Sequence, residues 1–333
     1  MTVDPTGKTW SADEIAEGSA AEIAAGRLPL RAQWRISEQR ERRDRGESGS
    51  FTSDLTVEEF AAIRSVGFSP VGQVLGSAVY NVGWSYTGCG YYGRGLAMGG
   101  GWVRGGFAGG GMPGGGIAGG GFAGGGGWGI APVVPVPATQ ELLNQARHRA
   151  VERMRRECAG LGGDGVVGVR LSVRSFYDNG LEFMAIGTAV RADGAKRPRR
   201  PFTSDLSGQD FAKLIRAGWV PVALVQGVGA MVRHDDWSVM SQRRSWYNQE
   251  LAGNTELVHA ARDAARKSLA ADARHRSGHT VLLRDMMLQV SGQRCSSGGE
   301  GEDHVANCFI WGTAVVPFET TASLEAPLPM LRL

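Results

Sequence analysis

The second half of the chain carries side chains of the kinds that bind soft metal ions. Three histidines, two cysteines and one aspartate fall close together in sequence; they are His275, His279, Cys295, Asp303, His304 and Cys308. Thiolate and imidazole groups are preferred ligands of zinc and of softer ions. We therefore take these six residues as a candidate site for zinc or another soft divalent metal. The spacings are irregular and no Cys-x-x-Cys pair is present, so polar loop residues and solvated helix ends are the alternative.

The other possible metal ligands are isolated in sequence. Cys89 lies in a glycine-rich stretch, and His148 stands between two arginines. Cys158 falls on the apolar face of a predicted helix, where a thiol behaves as a small hydrophobic group. For the run His-Asp-Asp at 234–236 we favour a turn over a ligand role.

No motif of a catalytic site is recognisable in the sequence. The chain has no Gly-x-Ser-x-Gly elbow, no His-Glu-x-x-His pair, no P-loop and no dinucleotide fingerprint framed by a strand and a helix. The sequence therefore predicts no catalytic and no cofactor-binding residues, which means a protein that is not an enzyme.

The composition restricts which binding partners and which cellular compartment we expect. A net charge of +3 on a sequence of mixed charges argues against a nucleic-acid partner. Four scattered cysteines behind a polar start without signal-peptide features favour reduced thiols and a cytoplasmic location. No stretch of about 18 apolar residues is present to span a membrane.

An internal repeat organises the chain. Residues 51–55 read Phe-Thr-Ser-Asp-Leu and recur at 202–206, while Gly-Thr-Ala-Val at 187–190 recurs at 312–315. Repetition at both ends of two long segments predicts two related domains in tandem. Because the copies share capping residues, glycines and core positions, they indicate repeated structure rather than repeated catalysis.

Each copy is predicted to contain a strand, a short helix, a β segment, a long helix and two strands. The strand ends in the shared motif. The hydroxyl groups of Thr56 and Ser207 are predicted to cap the short helix, and we interpret Asp54 and Asp205 as further groups at its start. Gly67 and Gly218 are predicted to end that helix in the left-handed conformation. The β segments are expected at 71–80 and 222–233.

The long helices are predicted from apolar residues at helical spacing. Their stripes are Leu143, Ala146, Ala150, Met154 and Cys158 in the first copy, and Leu257, Ala261, Ala265 and Leu269 in the second. Strands are then expected at 165–174 and 181–191, joined by a turn at 177–180 that contains Asn-Gly. The second copy should place its last strands at 280–290 and 308–317.

Three further segments lie outside the two copies or interrupt them. Residues 1–50 are predicted to form two helices, ending at 25 and covering 31–45; a basic nucleic-acid arm is the alternative for the latter. The basic linker 192–201 is expected to be extended. A glycine-rich insertion at 88–130 is interpreted as a surface loop, with its aromatic rings contacting other copies, a protein partner or an envelope membrane as the alternative.

The first copy carries a family resemblance. The helix at 140–160, the run Leu-Gly-Gly-Asp-Gly-Val-Val-Gly-Val at 161–169 and the run Ala-Ile-Gly-Thr-Ala-Val at 185–190 resemble the bacterial YbjQ-like, or heavy-metal-binding, domains (UPF0145) of the multi-domain actinobacterial type. The second copy departs from the pattern at 277–283. The resemblance implies an α+β fold of the dodecin-like kind that assembles into closed pentameric rings. It implies no established activity and no agreed set of metal ligands.

Together these observations predict an α+β protein with two tandem YbjQ-like domains. The expected division is an N-terminal helical extension (1–50), a first domain (51–191), the linker (192–201), a second, diverged domain (202–318) and a tail (319–333). The expected function is that of a non-enzymatic scaffold that binds itself. Since two domains per chain cannot form a single five-membered ring, five chains as two stacked rings are expected. A soft-metal binding or sensing module is the alternative, and an envelope partner bound through the glycine-rich insertion is the third possibility.

Overall fold

The computed structural model describes residues 2–46, 52–81, 131–176, 180–195, 197–294 and 302–318. Helices and strands are mixed along these segments, and the predicted α+β class is confirmed. The glycine-rich insertion, Cys89, Cys295 and most of the predicted turn at 177–180 lie outside the described residues. Predictions about them stay predictions.

The N-terminal extension consists of a small β-ribbon and two helices. Its elements are β1 (Thr2–Val3), β2 (Thr9–Trp10), α1 (Ala12–Ala24) and α2 (Leu30–Asp44). Ser11 and Glu14 form a capping box at the start of α1. The Arg35 guanidinium of α2 donates to the buried carboxylate of Glu157, which fastens the extension to the first repeat.

The two repeats have matching element orders. The first contains α3 (Val57–Arg64), β3 (Phe68–Asn81), β4 (Val134–Pro135), α4 (Pro137–Gly160), β5 (Gly165–Phe176) and β6 (Gly180–Ala192). The second contains β7 (Phe202–Thr203), α5 (Gly208–Arg216), β8 (Trp219–His234), α6 (Trp237–Arg243), α7 (Ala252–His275), β9 (Thr280–Arg294) and β10 (Glu302–Pro317). Helix α6 was not predicted, and β10 begins six residues before the predicted start at 308, at Glu302.

Each four-stranded sheet takes one strand from the other repeat. The first sheet has the order β3-β6-β5-β7 and the second the order β4-β8-β10-β9. Strand β7, which opens the second repeat, pairs in parallel with β5 of the first. Strand β4, which precedes the long helix of the first repeat, pairs with β8 of the second. The two repeats are therefore interlocked rather than joined only by the linker.

The elements stack as sheet, helix, sheet, helix. Helix α4 lies between the first sheet and β8, and α7 covers the other face of the second sheet. Burial alternates along β3, as expected for a strand with one covered face, but is nearly continuous along β8. All the residues of both predicted apolar stripes are buried.

The two shared motifs touch each other within each copy. Ser53 Oγ lies 3.4 Å from Thr188 Oγ1, and Ser204 Oγ lies 3.0 Å from Thr313 Oγ1. Each serine also accepts a hydrogen bond from the amide two residues later. The opening motif of a copy is thus fixed on that copy's last strand.

The prediction that Asp54 and Asp205 start the short helices is wrong. The hydroxyl groups of Thr56 and Ser207 cap α3 and α5, as predicted. Asp205 is buried and accepts from Thr313 Oγ1, and burial raises its pKa above the ordinary aspartate value despite that hydrogen bond. Asp54 pairs with Arg170. A strand at the opening motif forms in the second copy alone among the described residues, as β7.

Each long helix approaches its sheet at a glycine, Gly76 of β3 in the first repeat and Gly227 of β8 in the second. A Cβ atom on Gly76 would lie 1.9 Å from Ala150 O, and one on Gly227 would lie 2.1 Å from Ala265 O. Both distances are far below van der Waals contact, and the opposing atoms belong to helix backbone that has no rotamer to change. Glycine is required at both positions by close packing rather than by backbone conformation.

We expect Gly76→Ala to destabilise the fold by about 3 kcal/mol, the upper end of over-packing effects, because the new methyl group must push α4 off the sheet. Gly194→Ala is the matched control, since nothing lies within 4 Å of its added Cβ. Urea unfolding of the two variants measures the difference. Equal stability of the two variants would contradict the close approach.

Candidate metal centre

The centre is built where β8 ends and β10 begins. The two strands run antiparallel, with Asp303 opposite His234 and His304 opposite Arg233. The amide of Asp235 then donates to Glu302 O at 2.8 Å, which closes the ladder. This register brings the end of one strand beside the start of another that is distant in sequence.

Three side chains of ligand type converge at this point. Ligand atoms of Asp235, Glu302 and His304 all lie within 4.8 Å of one another, the one such group among the described residues. Asp235 Oδ1 lies 3.0 Å from His304 Nε2, but the atoms are not aligned as donor and acceptor, and neither has a hydrogen-bond partner within the described segments. Asp235 is only 2% exposed. Buried polar atoms without partners are rare, and carboxylate with imidazole is a donor set that zinc accepts.

An arginine stands on the open side of the centre. Arg243 Nη1 of α6 lies 2.8 Å from Asp235 Oδ2 and 3.6 Å from Glu302 Oε2. Its side chain is 45% exposed and can therefore withdraw into solvent. A bound cation at Asp235 Oδ1 has to compete with this guanidinium for the same negative charge.

Asp236 anchors the backbone on which the centre depends. Its carboxylate caps α6 by accepting from the Val239 amide at 2.9 Å, and it also accepts from the Ala131 amide at 3.0 Å and from Arg233. Burial opposes ionisation, but these amide and guanidinium hydrogen bonds outweigh it and hold the pKa of Asp236 below its ordinary value. Arg233 and Asp236 form an ion pair whose two side chains are almost fully buried.

The structure does not bring the six predicted ligands together. Apart from His304, four of the predicted ligands lie among the described residues. Of these, Asp303 lies opposite His234, and its Oδ1 is 2.8 Å from His234 Nδ1. Cys308 is buried in the core against α7, and burial raises its pKa. His279 lies beside Trp219, with ring centroids 5.8 Å apart. Whether the sixth ligand, Cys295, approaches the centre lies outside the described residues.

His275, the remaining predicted ligand, lines a cleft between the two long helices. The cleft has a volume of about 710 Å³ and is also lined by His148 and Arg276. His148 Nδ1 lies 3.1 Å from Gln226 Nε2 and 3.2 Å from Arg276 Nη2. Burial lowers the pKa of His148, which keeps the ring neutral and able to accept from these donors.

Sequence reasoning missed Asp235 and Glu302 as partners of His304. The signal for Asp235 was present in the run His-Asp-Asp, which was interpreted as a turn; the run in fact joins β8 to α6. Glu302 gave no local signal, because its place beside Asp235 follows from the pairing of β8 with β10.

Comparison with known proteins identifies relatives of this chain. Residues 136–193 match a family model described as "Putative heavy-metal-binding" (YbjQ). The chain is 30% identical over 281 residues to a Mycobacterium tuberculosis protein named "Encapsulin nanocompartment protein Rv1762c", covering 82% of this chain and 85% of that protein.

Shorter matches are found with single-domain relatives. A UPF0145 protein of Halorubrum lacusprofundi is 49% identical over 51 residues, and one of Thermotoga maritima is 42% identical over 53 residues. These matches cover 15% and 16% of this chain and about half of each relative, 49% and 50%. None of the relatives named here carries the name of an enzyme. In the described part of the chain, no helix combines the length and the apolar character that crossing a bilayer demands.

We expect Asp236→Ala to cost about 3–5 kcal/mol of stability, because it leaves the buried Arg233 charge without its partner. Asp263→Ala on the exposed face of α7 is the control, since its pair with Lys267 is largely solvated and worth at most about 1 kcal/mol. Denaturant unfolding at neutral pH measures both changes.

The pH dependence of that difference has a definite sign. The folded-state pKa of Asp236 lies below 3.8, so its contribution is complete above 3.8 and is lost as the pH falls through the lower folded-state value. A stability gap between wild type and Asp236→Ala that already closed between pH 6 and pH 5 would contradict this assignment.

Proposed function

The chain belongs to the YbjQ-like family, and from this premise we propose that it is a non-enzymatic scaffold that assembles with copies of itself. The observation that carries the proposal is the contact between its two repeats. Two domains of the same fold bind each other here through different surfaces. Contacts of this heterologous kind build rings when the rotation closes.

The contact between the repeats has the character of a permanent interface. Its centre is an apolar cluster of residues that are 0% exposed, drawn from both repeats: Ile63, Val167 and Val190 of the first and Phe211 of the second. Phe211 also stacks on Phe202 with ring centroids 5.7 Å apart. Strand pairing of β5 with β7 borders this cluster, and the pairing of β4 with β8 forms a second contact between the repeats around Val136 and Ala230. Apolar centres with backbone pairing are typical of obligate interfaces.

The named relatives support the same class of function. The mycobacterial relative is named for a nanocompartment, and the chain matches most of its length. For this chain we propose the coarser property, self-assembly without catalysis, in the cytoplasm. The number of chains stays a prediction from the sequence, five chains as two stacked rings.

Native mass spectrometry of the full, untagged chain tests the proposal, because it reports the number of chains and any bound metal in one spectrum. We expect a single closed species of five chains. A chain that stays monomeric or dimeric at all accessible concentrations would remove the scaffold function.

A second function, binding of a soft divalent metal, is favoured by the pair Asp235 and His304. Their facing atoms are 3.0 Å apart, buried and without hydrogen-bond partners among the described residues. Ligand atoms around a tetrahedral zinc ion stand about 3.4 Å apart, given bonds of about 2.1 Å. The residues therefore fit such an ion: Asp235 and His304 would hold it, Glu302 would complete three protein ligands, and the metal would supply the positive charge that Arg243 now provides.

Titration of zinc into chelator-treated protein, followed by calorimetry, tests this function. We expect Asp235→Asn and His304→Gln each to weaken binding by more than about 10–100-fold, the loss that changes behind the ligand shell already cause. Cys308→Ser and His275→Gln should bind like the wild type, because both residues lie away from the centre.

The opposite pattern has its own meaning. Loss of zinc on Cys308→Ser with retention on Asp235→Asn would return the site to the ligand set predicted from sequence. A wild-type protein that binds no zinc under conditions in which it stays folded would remove the metal function and leave the scaffold unaffected.

A further inference from the structure

At the β5 edge of the first sheet, a segment of the second repeat is already bound. Residues 202–206 of the second repeat run along the start of β5 and share backbone hydrogen bonds with it: Phe202 N to Asp164 O at 3.0 Å, Ser204 N to Val166 O at 2.8 Å and Val169 N to Ser204 O at 3.0 Å. Val167 is 0% exposed, because it packs in the apolar cluster that Phe211 of the second repeat completes. The opening motif of one repeat is thus the edge strand of the other.

The same edge of the second sheet carries no such strand. Thr280 of β9 faces Val315 as Gly165 of β5 faces Val190, so the two strand starts correspond residue by residue. Within the described segments β9 pairs with β10 alone and forms the sheet edge. Leu282, the counterpart of the buried Val167, is 38% exposed, and its neighbour Leu283 is 62% exposed.

The short helices repeat this contrast. Phe60 and Phe211 each lie four residues after the capping hydroxyl of their helix. Phe211 is 0% exposed because it packs against Ile63 and Val167 of the first repeat. Phe60 is 41% exposed, and Val57 on the same helix is 83% exposed. Phe60 of the first repeat is therefore the counterpart of the docking residue Phe211, and it stays partly exposed among the described residues.

The face of the first sheet that points away from α4 also has exposed apolar side chains. Leu75 and Val79 point away from α4 and are 38% and 48% exposed. Their counterparts one repeat later, Gln226 and Ala230, are 3% and 0% exposed, because the long helix of the first repeat covers that face of β8. This apolar face is covered in the second repeat and exposed in the first, which indicates that a long helix of another molecule covers it in the assembly.

The segment before the second long helix is exposed, whereas its counterpart before the first long helix is buried at both ends. Helices α4 and α7 both have 24 residues, so 246–251 correspond to 131–136, the segment that contains β4 and lies on β8. Ala131 and Val136 are 2% and 3% exposed. In contrast, Trp246 and Tyr247 are 100% and 84% exposed. Adjacent exposed aromatic side chains are typical of protein–protein interfaces.

We propose that chains join head to tail by repeating, between molecules, the contact that joins the two repeats within one. The occupant of the open β9 edge is a second copy of this chain: its residues 52–55 would add to β9, and its Phe60 would pack against α5. In return, residues 246–251 of the first chain would lie along the free edge of the neighbour's β3. The first chain's α7 would cover Leu75 and Val79 of the neighbour, as α4 covers their counterparts inside the chain, so that all four open surfaces are used once.

This inference rests on the proposed scaffold function and specifies its geometry. Head-to-tail contacts place the two repeats of a chain next to each other in one ring, in which first and second repeats alternate. In two stacked rings, by contrast, each repeat would form its ring contacts only with repeats of its own kind. The mass of the assembly is the same in both arrangements, so the position of the contact has to be tested directly.

A pair of complementary variants provides that test. Phe60→Asp places a charge on α3, which would dock on the neighbouring chain, and leaves the β9 edge intact. Leu283→Asp places the charge on the β9 edge and leaves α3 intact. Both positions are exposed in the single chain, so the fold should persist, and circular dichroism checks this. Val3→Asp is the matched control, an equally apolar side chain that is 61% exposed and belongs to the N-terminal β-ribbon.

We expect each of the two variants alone to run as a single chain by native mass spectrometry, and Val3→Asp to assemble like the wild type. An equimolar mixture of Phe60→Asp and Leu283→Asp should give a dimer with one chain of each, because one intact contact remains between them and it cannot propagate. Variants that still assemble, or a mixture that stays monomeric, would overturn the head-to-tail contact. A wild-type chain that does not assemble would instead remove the scaffold function itself.

Discussion

The fold depends on how closely the two long helices lie on β3 and β8. Glycines at 76 and 227 leave no side chain between strand and helix, so the helix backbone at Ala150 and Ala265 takes the space that a methyl group would need. The alanine stripes of the helices can pack at this distance, and larger side chains cannot. Because the contact fixes each helix along its strand, the segments before and after the helix arrive at the same places in both repeats. The correspondence between the repeats, and every surface derived from it, follows from this contact.

Between the repeats lies a buried positive charge. Arg147 of α4 is 3% exposed, and its guanidinium carbon lies 4.0 Å from the centre of the Phe309 ring in the second sheet. Burial lowers its pKa to about 9. Two of its nitrogens, Nε and Nη1, have no hydrogen-bond partner among the described residues, so the aromatic face offsets only part of the desolvation cost. Such a charge contributes little net stability, but it disfavours any arrangement of the two repeats in which the ring is not opposite it.

The parts of this structure that sequence predicts are the local ones. Helical spacing identified both apolar stripes, and Gly67 and Gly218 end their helices at φ of 78° and 79° as expected. The same logic failed for Asp54 and Asp205, because equal positions in the repeats meet different neighbours, an arginine in one and a threonine in the other. The exchange of β4 and β7 between sheets could not be predicted, since strand pairing depends on contacts between residues far apart in sequence. For the same reason ligand-type residues alone did not identify the metal centre: Cys308 lies in mid-strand under α7, and His304 lies at the strand end beside Asp235.

The candidate metal centre and the contact between the two repeats are physically connected. Ala131, at the start of the segment that the first repeat lays on β8, donates its amide to Asp236 and accepts from Arg233 Nε at 3.2 Å. The same Asp236 caps α6, the helix that carries Arg243 towards Asp235. The hydrogen bonds that fasten one repeat to the other therefore also fix the backbone on both sides of Asp235. The two proposed functions are therefore compatible, because the contacts that hold the repeats together also position Asp235, the central residue of the candidate metal centre.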